Sequence, residues 1–419
     1  MIKILVYISI ITSMIGSASV FAIDAGIFQL SLFRVSILLL FLYIIIKMLI
    51  KDKKIRLNNQ KFNSYSIKFM FIWIIYAFFS LAWVKDYNAW MRTLFFLFIG
   101  LLSYIIISKY LKSKFDILLA FRLIFIMILI HNLLGWYEIY TNNYIFLSID
   151  RIAKYTRLNH PVSTFGNTND YATFMLFSVW VSYICLINAK NIISKFIYIS
   201  LIISSVLLLI STSSRANLLG VILSMMLFIV LSMKRKKTRN ISLALLGIVF
   251  LIVLLNPESI KSLFISINEN LNINFSSQSG SDFVRINLIK NGLFFLISTL
   301  GFGVGAGNIE YWMSHKAMYN TGGVLNIHNW WLEILVGYGV VIFIMYIVFY
   351  FKLFRSFYRK FKYSRSKVDM SMSLGIMCFM IGYVIGSISS SSNISSEWLW
   401  VFWGIAIAYQ GVVLDENNL

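Results

Sequence analysis

The sequence predicts an all-α polytopic membrane bundle of about twelve transmembrane helices, on three observations. The 419-residue chain is 59% hydrophobic and 13% charged with 2 Pro, more apolar side chain than a soluble domain can bury. The apolar residues fall in repeated runs of roughly 17–25, the length at which a helix crosses a bilayer. The runs do not alternate in polarity, which excludes a β-barrel and leaves helices to satisfy the backbone in lipid.

In order, the expected spans are 2–22, 33–50, 67–84, 88–108, 115–137, 169–188, 194–212, 215–233, 240–256, 330–351, 371–389 and 397–413. Each is an uninterrupted apolar run ended by charge or turn formers. Val20-Phe21-Ala22 also fits a signal-peptide cleavage site. An ordinary first span is the preferred reading, and cleavage would not change any downstream orientation.

Orientation follows from Lys and Arg. With both termini cytoplasmic, 25 of the 37 lie inside, 11 outside, and Arg122 within a span. Of the 16 acids, 5 lie inside and 11 outside, so the outer face is neutral and the net charge of +21 is the inner face's +20 plus Arg122. A pI near 9.8 could mean nucleic acid. Here topology accounts for it, so no nucleic-acid partner is expected, and membrane lipid is. Cys185 and Cys378 both fall in spans and read as apolar filler, with no disulfide framework and no metal-type spacing.

The chain reads as one integral membrane domain, 1–419, with outer loops at about 138–168 and 257–329. The second is the larger and lies between spans 9 and 10. Its stretch Gly292–Gly303 is apolar but too short to span. It is expected to lie on the membrane or pack against the bundle, ended by the glycines that follow. Ser387–Ser396 is a short serine-rich outer stretch.

Arg215 sits at the outer end of a span, against the positive-inside trend, after Ser211-Thr-Ser-Ser. Free N–H groups at a helix start, hydroxyls and a guanidinium together suit an anion. The alternative is a snorkelling interface arginine. Arg285 opens Val284-Arg-Ile-Asn-Leu-Ile-Lys290, an amphipathic helical segment with Ile286 and Leu288 as its apolar side. Gly301, Gly303, Gly305 and Gly307 alternate, without the Lys-Ser/Thr of a nucleotide loop. They are expected to let the backbone bend close to a ligand or a neighbouring helix.

His328 stands at the mouth of the tenth span, before Asn329 and one helical turn from Glu333. A neutral imidazole there can take a proton from a hydroxyl. Trp330 and Trp331 read as interfacial belt residues. His131 and Glu138 share one face of a span and read as buried. Arg122, in the same span, reads as snorkelling inward, and His160 and His315 are assigned no role. Thr164-Phe-Gly-Asn167-Thr-Asn169-Asp170 precedes the sixth span, as a helix cap or a polar lip over a site.

These motifs resemble the O-antigen ligase and polymerase family. Phe-Gly-Asn-Thr-Asn-Asp is similar to its phenylalanine–glycine–asparagine–proline–asparagine–aspartate pattern, with Thr168 where proline is usual. Ser-Ser-Arg215-Ala resembles its arginine at the start of a later span. Arg285, the glycine-rich segment and His328-Asn329 resemble the arginine, glycines and histidine–asparagine of its large outer loop. The resemblance covers 162–350.

The resemblance implies a GT-C-type, metal-independent glycosyltransferase of the bacterial cytoplasmic membrane, with an outward-facing site and no cofactor. Its donor would be a glycan on undecaprenyl pyrophosphate. Arg215 and Arg285 would hold the pyrophosphate, with Asn167, Asn169 and Asn329 on the substrate, and His328 would activate the acceptor hydroxyl. The first expectation is a polymerase of O-antigen or capsule repeat units, with a chain-length regulator and a flippase as partners. The alternatives are a ligase acting on lipid A core or another acceptor and, from a different class, a lipid-linked oligosaccharide flippase.

Overall fold

In a computed structural model, residues 2–16, 22–50, 65–146, 160–233, 281–390 and 393–412 are described. The span expected at 240–256, the Lys234–Arg239 loop and residues 257–280 of the large loop lie outside them. The described residues form thirteen α-helices: α1 Ile2–Ser13, α2 Leu32–Ile50, α3 Tyr65–Phe79, α4 Tyr87–Tyr110, α5 Lys114–Thr141, α6 Thr168–Ile187, α7 Ile192–Ser211, α8 Arg215–Met233, α9 Ser281–Ser298, α10 Ile309–Lys316, α11 Trp330–Tyr363, α12 Lys367–Gly386 and α13 Glu397–Gln410. A small antiparallel hairpin, β1 Ile23–Ala25 and β2 Phe28–Leu30, separates α1 from α2, pairing Ile23 with Leu30.

Nine helices among the described residues are long and apolar enough to cross a membrane, so this is an all-α, multi-pass membrane protein. Two expected spans are shorter than the sequence suggested. Helix α1 stops at Ser13 within the span expected at 2–22, and the hairpin at 23–30 lies between that span and the one expected at 33–50. Residues 397–413 give the 14-residue α13. Helix α11 overshoots instead, running 34 residues into the basic segment that was read as a loop.

The bundle is organised around α6, buried along almost its whole length and enclosed by α5, α7, α8 and α12. Lipid offers no hydrophobic drive between helices, so close packing has to hold them. Small residues allow it: a Cβ on Gly220 of α8 would lie 2.6 Å from the Gly382 oxygen of α12. Cys185 and Cys378 are buried filler as expected. At one end of the bundle, Lys3 pairs with Asp116 at 2.5 Å and Lys114 with Asp369 at 2.7 Å. Asp116 also closes a capping box with Ser113 at the start of α5.

The glycine run shapes the opposite end. Gly301, Gly303, Gly305 and Gly307 have φ of 81°, 80°, 93° and 72°, and Gly339 inside α11 has φ 77°. Left-handed backbone is where glycine costs least. Gly339 breaks α11, and the break frees carbonyls that must be satisfied. The run satisfies them: Val304 N–H donates to Val336 O at 2.8 Å, Gly305 N–H to Gly337 O at 3.0 Å, and Val340 N–H to Gly301 O at 2.9 Å. The glycines therefore serve a neighbouring helix, one of the two uses expected of them. Beyond the run, buried Asn308 accepts from Lys85 N–H and Asp86 N–H, both at 2.8 Å, and fixes the α3–α4 corner.

Residues 292–298 of the expected apolar stretch are the end of α9, which packs against α11, and 299–303 lie beyond the helix in the turn. Leu288, Asn291 and Phe295 are buried there, while Ile286, expected on the apolar face, is exposed. Trp330 and Trp331 are also not belt residues. Trp330 is buried and donates to the Tyr346 hydroxyl at 2.9 Å, and Trp331 donates to Val384 O at 2.9 Å.

Candidate active site

Three helices begin at the end that the glycine run organises. Asn167 caps α6, its side chain accepting from Asn169 N–H at 2.8 Å. Asn329 caps α11, accepting from Trp331 N–H at 3.1 Å and Leu332 N–H at 3.2 Å. Arg215 is the first residue of α8 and is exposed. Each start leaves N–H groups in need of an acceptor, and the two asparagines meet part of that need.

Short polar links tie these starts together. Asn217 donates to Asn169 O at 3.4 Å, joining α8 to α6. The serine-rich stretch after α12 joins α8 to α11. Ser389 Oγ lies 3.3 Å from Ser214 Oγ and accepts from Asn217 Nδ2 at 3.3 Å, while Ser387 O accepts from Trp330 N–H at 3.1 Å. Asn167, Asn169, Arg215 and Asn329 are thus held on one connected frame. The sequence showed the serines but gave them no role, because their partners lie in other helices.

His328 sits half-buried on the lip of this frame, immediately before the α11 cap. Its φ is 49°, and its N–H donates to Asn326 Oδ1 at 2.8 Å. Arg285 comes from a different element. It is exposed at the margin of the α9 face that packs on α11, and among the described residues it has no hydrogen-bond or ion-pair partner. Among the described residues, no hydrogen bond or ion pair joins it to Arg215 or His328.

The loop before α6 is pinned from α5. Glu138, buried, accepts from Val162 N–H and Ser163 N–H, both at 2.8 Å. His131, also buried, is 2.8 Å from Ser163 Oγ and 2.9 Å from Met14 O. These two residues are structural, as expected from their shared face. His160, which was assigned nothing, holds Ser211 O at 2.9 Å.

Next to the turn that precedes α11 opens a cleft of about 290 Å³, lined by Asn326 and Ile327 on one side and Arg92 of α4 on the other, with His328 outside its lining. The hairpin, the start of α2 and the first turns of α11 complete its walls. Arg34, in this wall, is buried and forms an ion pair with Glu397 of α13 at 2.8 Å. Sequence reasoning missed Arg34 and Arg92. Both stand on the face expected to be outer, against the charge trend, the same signal that singled out Arg215. Among the described residues, no three His, Cys, Asp or Glu side chains gather as metal ligands.

Comparison with known proteins gives two matches. Residues 199–347 match the model of the O-antigen ligase family, a stretch holding Arg215, Arg285, the glycine run and His328. The chain is also 28% identical over 423 aligned positions to the teichuronic acid biosynthesis protein TuaE of Bacillus subtilis (strain 168), covering 99% of this chain and 85% of that protein. Both matches make the chain similar to the O-antigen ligase/polymerase-like membrane proteins, the first over 199–347 and the second over nearly its whole length.

Proposed function

We propose that this protein polymerises lipid-linked oligosaccharide repeat units into a cell-surface polysaccharide, at the outer face of the cytoplasmic membrane. The observation that carries the reading is the frame of joined helix starts, with Arg215 opening α8 and His328 preceding the α11 cap, inside the region matching the O-antigen ligase family. In the proposed reaction, the His328 imidazole takes the proton of an acceptor sugar hydroxyl. That oxygen bonds to the anomeric carbon of the donor glycan as its bond to undecaprenyl pyrophosphate breaks. Arg215 and Arg285 hold the departing pyrophosphate, whose negative charge grows in the transition state. Both guanidiniums are exposed and so placed to receive an outside ligand. A flippase would deliver such substrates, and a chain-length regulator would limit the product.

The family model's own description favours a second reading, a ligase that passes finished glycan to another acceptor. One experiment separates the two. In cells lacking the protein, a polymerase defect leaves only single repeat units on the lipid, whereas a ligase defect leaves a full ladder of lengths there. Purified protein should turn over lipid-linked glycan without an ion gradient and in excess chelator. Turnover lost in chelator and restored by Mg²⁺ or Mn²⁺ would defeat the arginine clamp.

A further inference from the structure

We propose that the exposed face of α11 near its C-terminal end, with the start of α3, binds an anionic phospholipid of the cytoplasmic leaflet, its phosphate at Arg355 and Arg359. The inference goes beyond the glycan-transfer reading and uses only the proposed orientation. It starts from how the cations at this end are spent. Lys3 and Lys114 pair with Asp116 and Asp369. Lys360 turns inward: Nζ donates to Tyr409 O at 2.6 Å and Val412 O at 2.5 Å, and lies 4.3 Å from the Tyr409 ring centre. These cations build the bundle.

Lys352, Arg355, Arg359 and Lys362 lie on the opposite side of α11. All four are exposed, and the chain carries no acid from Val340 to Tyr363. Their spacing puts them within about 80° of one another around the helix, over about 15 Å of its length. Lys352 Nζ lies 4.0 Å from the ring centre of Tyr65, which opens α3, and Lys68, one turn further along α3, is also exposed. Among the described residues, Lys352, Arg355 and Arg359 have no ion-pair partner.

The rest of this face identifies the occupant. Val341, Ile344 and Phe351 lie on the same side of α11 and are 65%, 53% and 61% exposed. Exposed apolar side chains on a membrane helix meet acyl chains. One continuous face therefore passes from apolar to cationic between Phe351 and Lys352, in the order of a phospholipid's tails and phosphate. A soluble acidic segment would match only the cationic half. Arg355 and Arg359 stand one turn apart, each with a fork suited to phosphate oxygens. Four cations without an acid repel the ammonium of a zwitterionic headgroup, so the lipid is one of net negative charge.

The test titrates full-length protein in uncharged detergent and counts bound molecules by native mass spectrometry. Three probes are compared: phosphatidylglycerol, phosphatidylcholine with the same chains, and glycerol phosphate. Wild type should bind its first phosphatidylglycerol more tightly than phosphatidylcholine, and glycerol phosphate far more weakly than phosphatidylglycerol. Arg355→Gln with Arg359→Gln should weaken phosphatidylglycerol by about 10- to 30-fold, the worth of two cations beside an anionic lipid, and leave phosphatidylcholine unchanged. Lys112→Gln with Lys190→Gln removes the same charge from exposed positions at the same end and should change neither lipid.

Equal binding of the two lipids by wild type overturns the proposal and leaves the stripe to an acidic protein. Equal losses in the two double variants also overturn it, because general surface charge then does the binding. Glycerol phosphate bound as tightly as phosphatidylglycerol overturns it as well, since the site would then take a soluble anion.

Discussion

The backbone at His328 is fixed by a turn. A left-handed φ of 49° turns the chain just before Asn329, and the Asn326 side chain holds that turn by accepting the His328 N–H. The next residue spends its side-chain oxygen on two N–H groups of α11. A turn and a cap therefore fix the backbone from which the imidazole projects. His328→Ala should lower turnover by about 10²–10⁴-fold, the usual worth of a positioned base, with little change in donor binding. Turnover by wild type should fall in acid as the imidazole takes up a proton. His328→Gln keeps a hydrogen-bonding side chain without the base, so a fully active Gln variant with an unchanged pH profile would remove the residue from the mechanism. Arg215→Lys and Arg285→Lys should each lose most activity while the protein still inserts, since lysine keeps the charge but not the fork. Near-normal turnover by both would exclude the pyrophosphate clamp.

At the scale of elements, the glycine run and the break in α11 form one device. A Cβ on Gly303 would lie 2.6 Å from Gly339 N and 2.7 Å from Val336 O, both backbone atoms that have no other place to go. Gly303→Ala should therefore cost roughly 1–3 kcal/mol in overpacking, with about 1–2 kcal/mol of left-handed strain added. Gly323→Ala is the control. Its φ is 81° but nothing lies within 4 Å, so it should show the strain alone. Thermal unfolding of the two variants in detergent checks this, and equal shifts would mean that the close approach carries no stability.

The same elements show what could be read from sequence. The span expected at 88–108 is Tyr87–Tyr110 and that at 169–188 is Thr168–Ile187, because lipid imposes length and apolarity residue by residue. The glycines could be read as bends, but their partner could not, since the break at Gly339 has no local signature. Arg34 with Glu397 was likewise illegible, because a buried pair between α2 and α13 is a choice of partners far apart in the chain. Arg92 left a signal in its position, and only the cleft gives that signal a meaning.

For the whole molecule, the charge split and the frame of helix starts make one joint claim. In the proposed orientation, the end bearing Lys114, Lys360 and Lys367 faces the cytoplasm and the end bearing His328 faces out. A reporter fused at Asn274 tests the expected outer loop by sequence alone, because that residue lies outside the described structure. The two native cysteines offer a sharper test. Cys185 and Cys378 are both buried, so a charged thiol reagent that cannot cross membranes should leave the unaltered protein almost unlabelled. Single cysteines can then be placed on exposed side chains at each end: Met318→Cys, where the native residue is 65% exposed, and Tyr363→Cys, where it is 61% exposed. In intact cells stripped of outer barriers, Met318→Cys should label and Tyr363→Cys should not; in inverted vesicles the pattern should reverse. Labelling of Tyr363→Cys in intact cells would turn the molecule over and place His328, Arg215 and the cleft in the cytoplasm, where a lipid-linked glycan already flipped outward could not reach them.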